Sequence, residues 1–215
     1  MTPSRVAALA AILVATLGTP SVADVVSDWG KAVVPPPPEL KEVTVEPATT
    51  ALLLLDIMKG GCSARPRCIA AMPNIKRLHD AARSHNMVVW YSLVGSDGKA
   101  TPDDVMDAAI KPRAGEWYRQ GGPDKFLGND LDQRLKAHNT KTVILCGTSA
   151  QGVGLGTGTA AAQRGYFVIY PVDCLRSESA FREAYATWHM GGGGPPVTTK
   201  WVTVTRSDMI TIGQQ

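Results

Sequence analysis

Few residues in this chain pair a reactive group with a setting that could use it. Asp56 is the clearest, because it ends the apolar run Ala51-Leu52-Leu53-Leu54-Leu55. A carboxylate delivered at the end of a buried strand can move a proton, or it can simply cap the following turn. A second group follows the apolar run 143–146, where Gly147 leads into Thr148, Ser149 and Gln151. Hydroxyls and backbone N–H groups at the start of a helix there would make an anion-binding wall. Arg119 or Lys125 could supply positive charge, although a guanidinium does not release its proton at ordinary pH.

Cys62 and Cys68 stand close together in a Gly/Pro/Arg-rich loop, and a disulfide closing that small ring is expected. If bonded, Cys62 is not a nucleophile. Cys146 and Cys174 fall at the ends of two neighbouring strands, as two buried thiols or as a second bond. His79, His85, His138 and His189 include no pair with metal-ligand spacing, so no metal and no cofactor is expected. Gly152, Gly154, Gly156 and Gly158 alternate, but Thr157 stands where a Gly-x-Gly-x-x-Gly phosphate loop needs its third glycine. Close packing of a helix on a sheet, with a pocket beside it, is the better account of these glycines.

The elements that must position these residues follow from the apolar pattern. Strands are expected at 51–55, 87–92, 141–146, 166–170 and 197–204. Helices are expected from Pro73 onward (Ile75, Leu78 and Ala82 share a face) and at 131–138, 151–164 and 177–189. Alternating strands and helices predict an α/β fold: three αβα layers around a largely parallel sheet of five or six strands. Active sites of such folds collect at the carboxyl ends of the strands, here Asp56, Ser92, Gly147 and Asp173. Residues 94–128, rich in Gly, Pro and Asp, read as a long excursion over that edge.

Residues 1–23 read as a signal peptide: Arg5, then the apolar stretch 6–17, then Ser21-Val22-Ala23 before a cleavage point at Asp24. The apolar stretch is short for a membrane span, so an exported product, periplasmic or secreted and without stable membrane insertion, is expected. Residues 24–50, with prolines at 35–38, read as an extended arm, and residues 51–215 as one domain. The net charge is +3, with no basic run interleaved with aromatics, which argues against a nucleic-acid partner.

Three segments carry a family likeness, in order: 51–58, ending in Asp56-Ile57-Met58; Phe126-Leu127-Gly128-Asn129-Asp130-Leu131; and 143–148, continuing to Thr157, Ala161, Gly165 and Tyr166. They resemble the aspartate strand, the Phe-x-x-Thr-x-Leu segment after the lysine, and the nucleophile helix of the isochorismatase-like, or cysteine hydrolase, superfamily. The resemblance implies an Asp-Lys-Cys hydrolase whose thiolate attacks a carboxamide-type carbonyl while the aspartate moves the proton. It also implies a cis peptide before the helix, at Thr148-Ser149 by position, and a homo-oligomer acting on a small molecule.

The departures matter as much. The position of the family's cysteine holds Val153, fixed in register by Gly147 on one side and Thr157, Ala161 and Gly165 on the other. Valine has no nucleophilic function, so covalent catalysis from this position is excluded. The place expected for the lysine, about six residues before Phe126, holds Gln120, with Arg119 beside it and Lys125 nearer. Isochorismatases also lack the cysteine and hydrolyse a vinyl ether. The resemblance therefore implies a hydrolase of a small amide, ester or enol ether without a covalent cysteine intermediate. Asp56 and Arg119 are its candidate catalytic residues, and Thr148, Ser149, Gln151, Val153 and Lys125 would line the substrate. The alternative is a pseudoenzyme: a non-catalytic small-ligand-binding protein on the same fold.

Overall fold

The computed structural model describes residues 24–94 and 98–214, so the expected signal peptide lies outside the described residues. The chain divides after Pro35. The described part of the first unit is a turn and the short 3-10 helix Trp29–Lys31, where Lys31 pairs with Asp28 at 2.7 Å.

From Pro36 onward the chain forms strands β1 (Val43–Val45), β2 (Thr50–Leu55), β3 (Val88–Leu93), β4 (Tyr118–Gln120), β5 (Thr142–Thr148), β6 (Phe167–Pro171), β7 (Leu175–Arg176), β8 (Val202–Thr205) and β9 (Ile210–Ile212). The helices are α1 (Lys59–Cys62), α2 (Pro66–Ser84), α3 (Leu131–Ala137), α4 (Leu155–Gln163), α5 (Ala180–Trp188) and α6 (Pro196–Thr199). The main sheet runs β4-β3-β2-β5-β6-β8, with β7 added beside the end of β5. Every pairing in it is parallel.

Two apolar layers explain why the central strands carry no polar face. Leu53, Leu55, Val143, Leu145 and Val168 pack on one side with Leu131 and Leu135 of α3 and the alanines of α4. Leu52, Leu54, Ile144 and Ile169 point the other way, onto Ala71, Ile75, Leu78 and Ala82 of α2. Side chains alternate across a strand, so near-continuous apolar runs are what a sheet covered on both faces requires.

The structure moves some expected boundaries. Pro73 lies inside α2, which starts at Pro66. Cys68 and Ala71 share the buried face of Ile75, Leu78 and Ala82, and this stripe extends the helix toward its N-terminus. The stretch expected as one last strand is divided: Pro196 opens the turn of helix α6, and β8 begins only at Val202. Within the stretch expected as an extended arm, β1 pairs in parallel with β9, and the Lys41 amide donates to the Val204 carbonyl at 3.0 Å. Among the described residues no helix is long and apolar enough to cross a membrane.

Cys62 and Cys68 are bonded, tying α1 to the first turn of α2, while Cys146 and Cys174 are buried free thiols. Closing a ring this short removes loop entropy from the unfolded chain worth ~2 kcal/mol. The double variant Cys62→Ser/Cys68→Ser is therefore expected to lose about that much unfolding free energy in urea titration. An unchanged midpoint would show that the bond is thermodynamically idle.

Candidate active site

Asp56 follows β2 directly, at the carboxyl edge of the sheet. Its backbone is left-handed (φ 55°), which aspartate tolerates better than most residues. The Asp56 amide donates to the Ser92 carbonyl at 3.0 Å, and the Ser92 hydroxyl donates to Asp56 Oδ1 at 2.8 Å. Register brings in the next strand: Leu55 pairs with Gly147, so Asp56, just past β2, comes beside Thr148, the last residue of β5. A side chain at Gly147 would put its Cβ 2.0 Å from the Leu55 carbonyl oxygen, so only glycine lets the two strands run this close.

Lys125 completes the centre. Its Nζ lies 2.8 Å from Asp56 Oδ2 and donates to the Gly121 carbonyl at 3.0 Å. Only 4% of Lys125 and 8% of Asp56 is exposed. The loop that delivers the lysine is fixed from α4. Gly156 leaves room for the Pro123 carbonyl, which a Cβ would meet at 2.9 Å. The Thr157 hydroxyl donates to that same carbonyl at 2.9 Å and accepts from the Lys125 amide at 3.3 Å. Two of the glycine-rich segment's residues thus hold a side chain some thirty positions earlier in the chain.

Burial pushes the Asp56 carboxyl above its ordinary value, against the opposing pull of the Lys125 charge and of the hydrogen bonds from Lys125 and Ser92. A carboxyl shifted in that direction is suited to exchanging protons nearer neutrality. Arg119 lies elsewhere on the same edge. It is on β4, about half exposed, with Nε 3.8 Å from Asp130 Oδ1 and its guanidinium 5.8 Å over the Trp117 ring. It shares one recess with Ser92, Gln120 and Lys125, but the charge facing Asp56 is Lys125. Gln120, also in that recess, donates to the Ala100 carbonyl at 3.0 Å.

Thr148 and Ser149 are joined by a cis peptide, as the resemblance implied. The turn after them, Ala150–Gly154, is π-helical, and both the Gly152 and Gly154 amides donate to the Ser149 carbonyl at 3.1 Å. Ser177, which sequence reasoning left out, fastens this turn. Its hydroxyl accepts from the Ala150 amide at 3.0 Å and donates to Gln151 Oε1. Gln151 is thus committed to Ser177 in this structure. Val153 is 4% exposed and packs in the same apolar layer as Leu55, Phe126 and Tyr170. Asp173, the fourth strand-end candidate, accepts from the Ser207 amide and hydroxyl at 2.8 and 2.7 Å, a structural role. Ser92 was legible as a strand-end residue; its bond to Asp56 was not.

None of the four cysteines is an accessible free thiol. Cys62 is bonded, and Cys146 and Cys174 are both buried. Burial, reinforced by the neighbouring Cys174, holds the Cys146 thiol well above its usual range.

The parallel three-layer α/β fold carries a buried aspartate–lysine pair at its carboxyl edge, where such folds collect their sites. Residues 50–200 match the isochorismatase domain, and the chain belongs to the isochorismatase family. An uncharacterized isochorismatase family protein from Bacillus subtilis, YwoC, is 28% identical over 153 residues, covering 60% of this chain and 79% of its own. A cysteine hydrolase from Pseudomonas syringae has a similar structure (TM-score 0.64, 20% identity, 82% of this chain and 95% of that one). So does N-carbamoylsarcosine amidase from Thermoplasma acidophilum (TM-score 0.59, 23% identity, 74% and 97%). Nicotinamidase from Bacillus subtilis aligns with a TM-score of 0.63 at 14% identity, over 74% and 99% of the two chains. At these identities the structural matches speak for the fold.

Proposed function

We propose that this protein hydrolyses a small amide, ester or enol ether by direct attack of water, with Asp56 moving the proton and no covalent cysteine intermediate. The observation that carries this reading is the buried Asp56–Lys125 pair with Ser92 on its second oxygen, in a chain that has no accessible thiol. For a carbonyl substrate, ionised Asp56 takes a proton from water as its oxygen bonds to the carbonyl carbon. The same proton then goes to the departing amine or alcohol. For an enol ether, protonated Asp56 gives its proton to the vinyl carbon, water traps the resulting oxocarbenium carbon, and the hemiketal collapses to a ketone and an alcohol. The upward shift of Asp56 favours the second direction, because it keeps more of the acid in its donor form. The disulfide supports an exported protein, since such bonds persist in oxidising compartments.

A second reading rests on Val153. An apolar side chain packed where the family carries its nucleophile suits a protein that binds a small ligand without turning it over. A turnover screen against amides, N-carbamoyl compounds, esters and vinyl ethers, with and without a thiol-alkylating reagent, separates the two. Turnover that survives alkylation is the expected result. Turnover abolished by the reagent would sink the cysteine-independent mechanism, and a ligand found by thermal shift with no turnover would favour the binding protein.

A further inference from the structure

Beside Thr148, on the side away from Asp56, lies a network of arginines that the proposed reaction does not use. Arg65 reaches Thr148 Oγ1 with Nη1 at 3.5 Å and pairs with Glu178 at 2.9 Å. Arg182 holds the same Glu178, while Arg67 and Arg176 both pair with Glu183. Register puts Arg176 of β7 opposite Thr148. Four guanidinium groups share two carboxylates in this network, so positive charge is in excess at the edge of the candidate site.

Two features single out Arg65. Its backbone lies inside the ring closed by Cys62 and Cys68: the Arg65 amide donates to the Cys62 carbonyl, and the Cys68 amide donates to the Arg65 carbonyl, both at 2.9 Å. Its partner is the less secured of the two carboxylates. The Glu178 side chain is 44% exposed, whereas that of Glu183 is 13% exposed and also accepts from the Ser177 amide at 2.8 Å. Glu178 also pairs with Arg182, four residues along, and that contact, if kept, holds it when it leaves Arg65, whereas Glu183 is fixed from three sides.

We propose that Arg65 is a substrate-binding residue that receives a carboxylate of the substrate, and that Glu178 occupies that place until the substrate displaces it. The inference rests on the reading that the ends of β2 and β5 form the substrate site. It assigns the substrate class: a small carboxylic acid whose reacting bond lies toward Asp56 and whose carboxylate lies toward the disulfide ring. A planar guanidinium matches a carboxylate with two parallel hydrogen bonds, which a lysine in the same place cannot reproduce.

The test measures binding and needs no turnover, using benzoate and benzamide as a matched pair in calorimetry on the purified protein. Wild type is expected to prefer benzoate by about tenfold, the usual worth of a charge-assisted contact. Arg65→Gln is expected to erase the preference, Arg65→Lys to keep part of it, and Glu178→Gln to enlarge it several-fold by removing the competing carboxylate. Equal or absent binding of the two probes by wild type overturns the proposal, as does a preference that survives Arg65→Gln. Should Arg65→Gln fail to fold, Glu178→Gln decides alone, since unchanged benzoate affinity there overturns it too. A carboxylate preference in a protein that hydrolyses nothing keeps this inference and removes the hydrolase.

Discussion

Asp56→Asn is expected to lower kcat/KM by roughly a thousandfold, within the range contributed by a positioned acid or base. Asparagine keeps the shape and can still accept from Ser92, but it neither takes nor gives the proton. The same change leaves Lys125 buried and charged with only the Gly121 carbonyl for company. Breaking a buried pair from one side costs about 3–5 kcal/mol, so lost activity alone would not separate chemistry from folding. The double variant Asp56→Asn/Lys125→Met separates them. Removing both charges restores most of the stability, because no unpaired ion remains, while activity stays at the level of the single variant. Denaturant midpoints and kcat/KM of the three proteins form the measurement; activity returning with stability in the double variant would remove Asp56 from the chemistry.

The pH dependence follows from the direction of the Asp56 shift. Its folded carboxyl titrates above its ordinary value of 3.8, because burial disfavours the anion more than Lys125 and Ser92 favour it. The group's stabilising contribution is therefore present at low pH and fades as pH rises through the folded value. For activity, hydrolysis that needs the acid falls across the same interval, and hydrolysis that needs the base rises there. Either limb must disappear in Asp56→Asn. A limb that persists belongs to another group.

The sheet and Asp56 were legible because burial on both faces writes itself as an unbroken apolar run, and a polar residue that ends such a run is conspicuous. Lys125 was harder. It sits in residues 94–128, where no period marks an element, and its place beside Asp56 depends on a three-residue strand and on two contacts from α4. β4 pairs only at Tyr91↔Tyr118 through Leu93↔Gln120, too short to show as a pattern. Gly156 and Thr157, which hold the lysine loop, belong by sequence to another motif altogether. Arg119 stood nearer the expected position by counting residues, and counting fails where a loop's path is set by tertiary contacts. Ser177 and Arg65 escaped notice for the same reason: each acts on a turn that lies far from it along the chain.

Val153→Cys installs a thiol where the family resemblance places a nucleophile, and is expected to make the protein sensitive to alkylation. The substitution is small, removing about one methyl's worth of packing from a buried site, so the cost in stability is about 1 kcal/mol. At this position the thiol lies in the first helical turn after Ser149, where the partial positive charge of a helix start favours the thiolate. Cys146 offers no such setting, since burial holds its proton in place. The site is buried, so in native protein the variant is expected to label with iodoacetamide faster than wild type only to the extent that the turn Ala150–Gly154 opens to the reagent. Incubated with an activated ester, it should gain the mass of one acyl group, which wild type should not. Acylation followed by slow release would support the proposed anion-binding role of Thr148 and Ser149. A variant that folds and yet labels no faster than wild type would mean that the turn around Val153 has closed over the site. The ligand-binding alternative would then gain most.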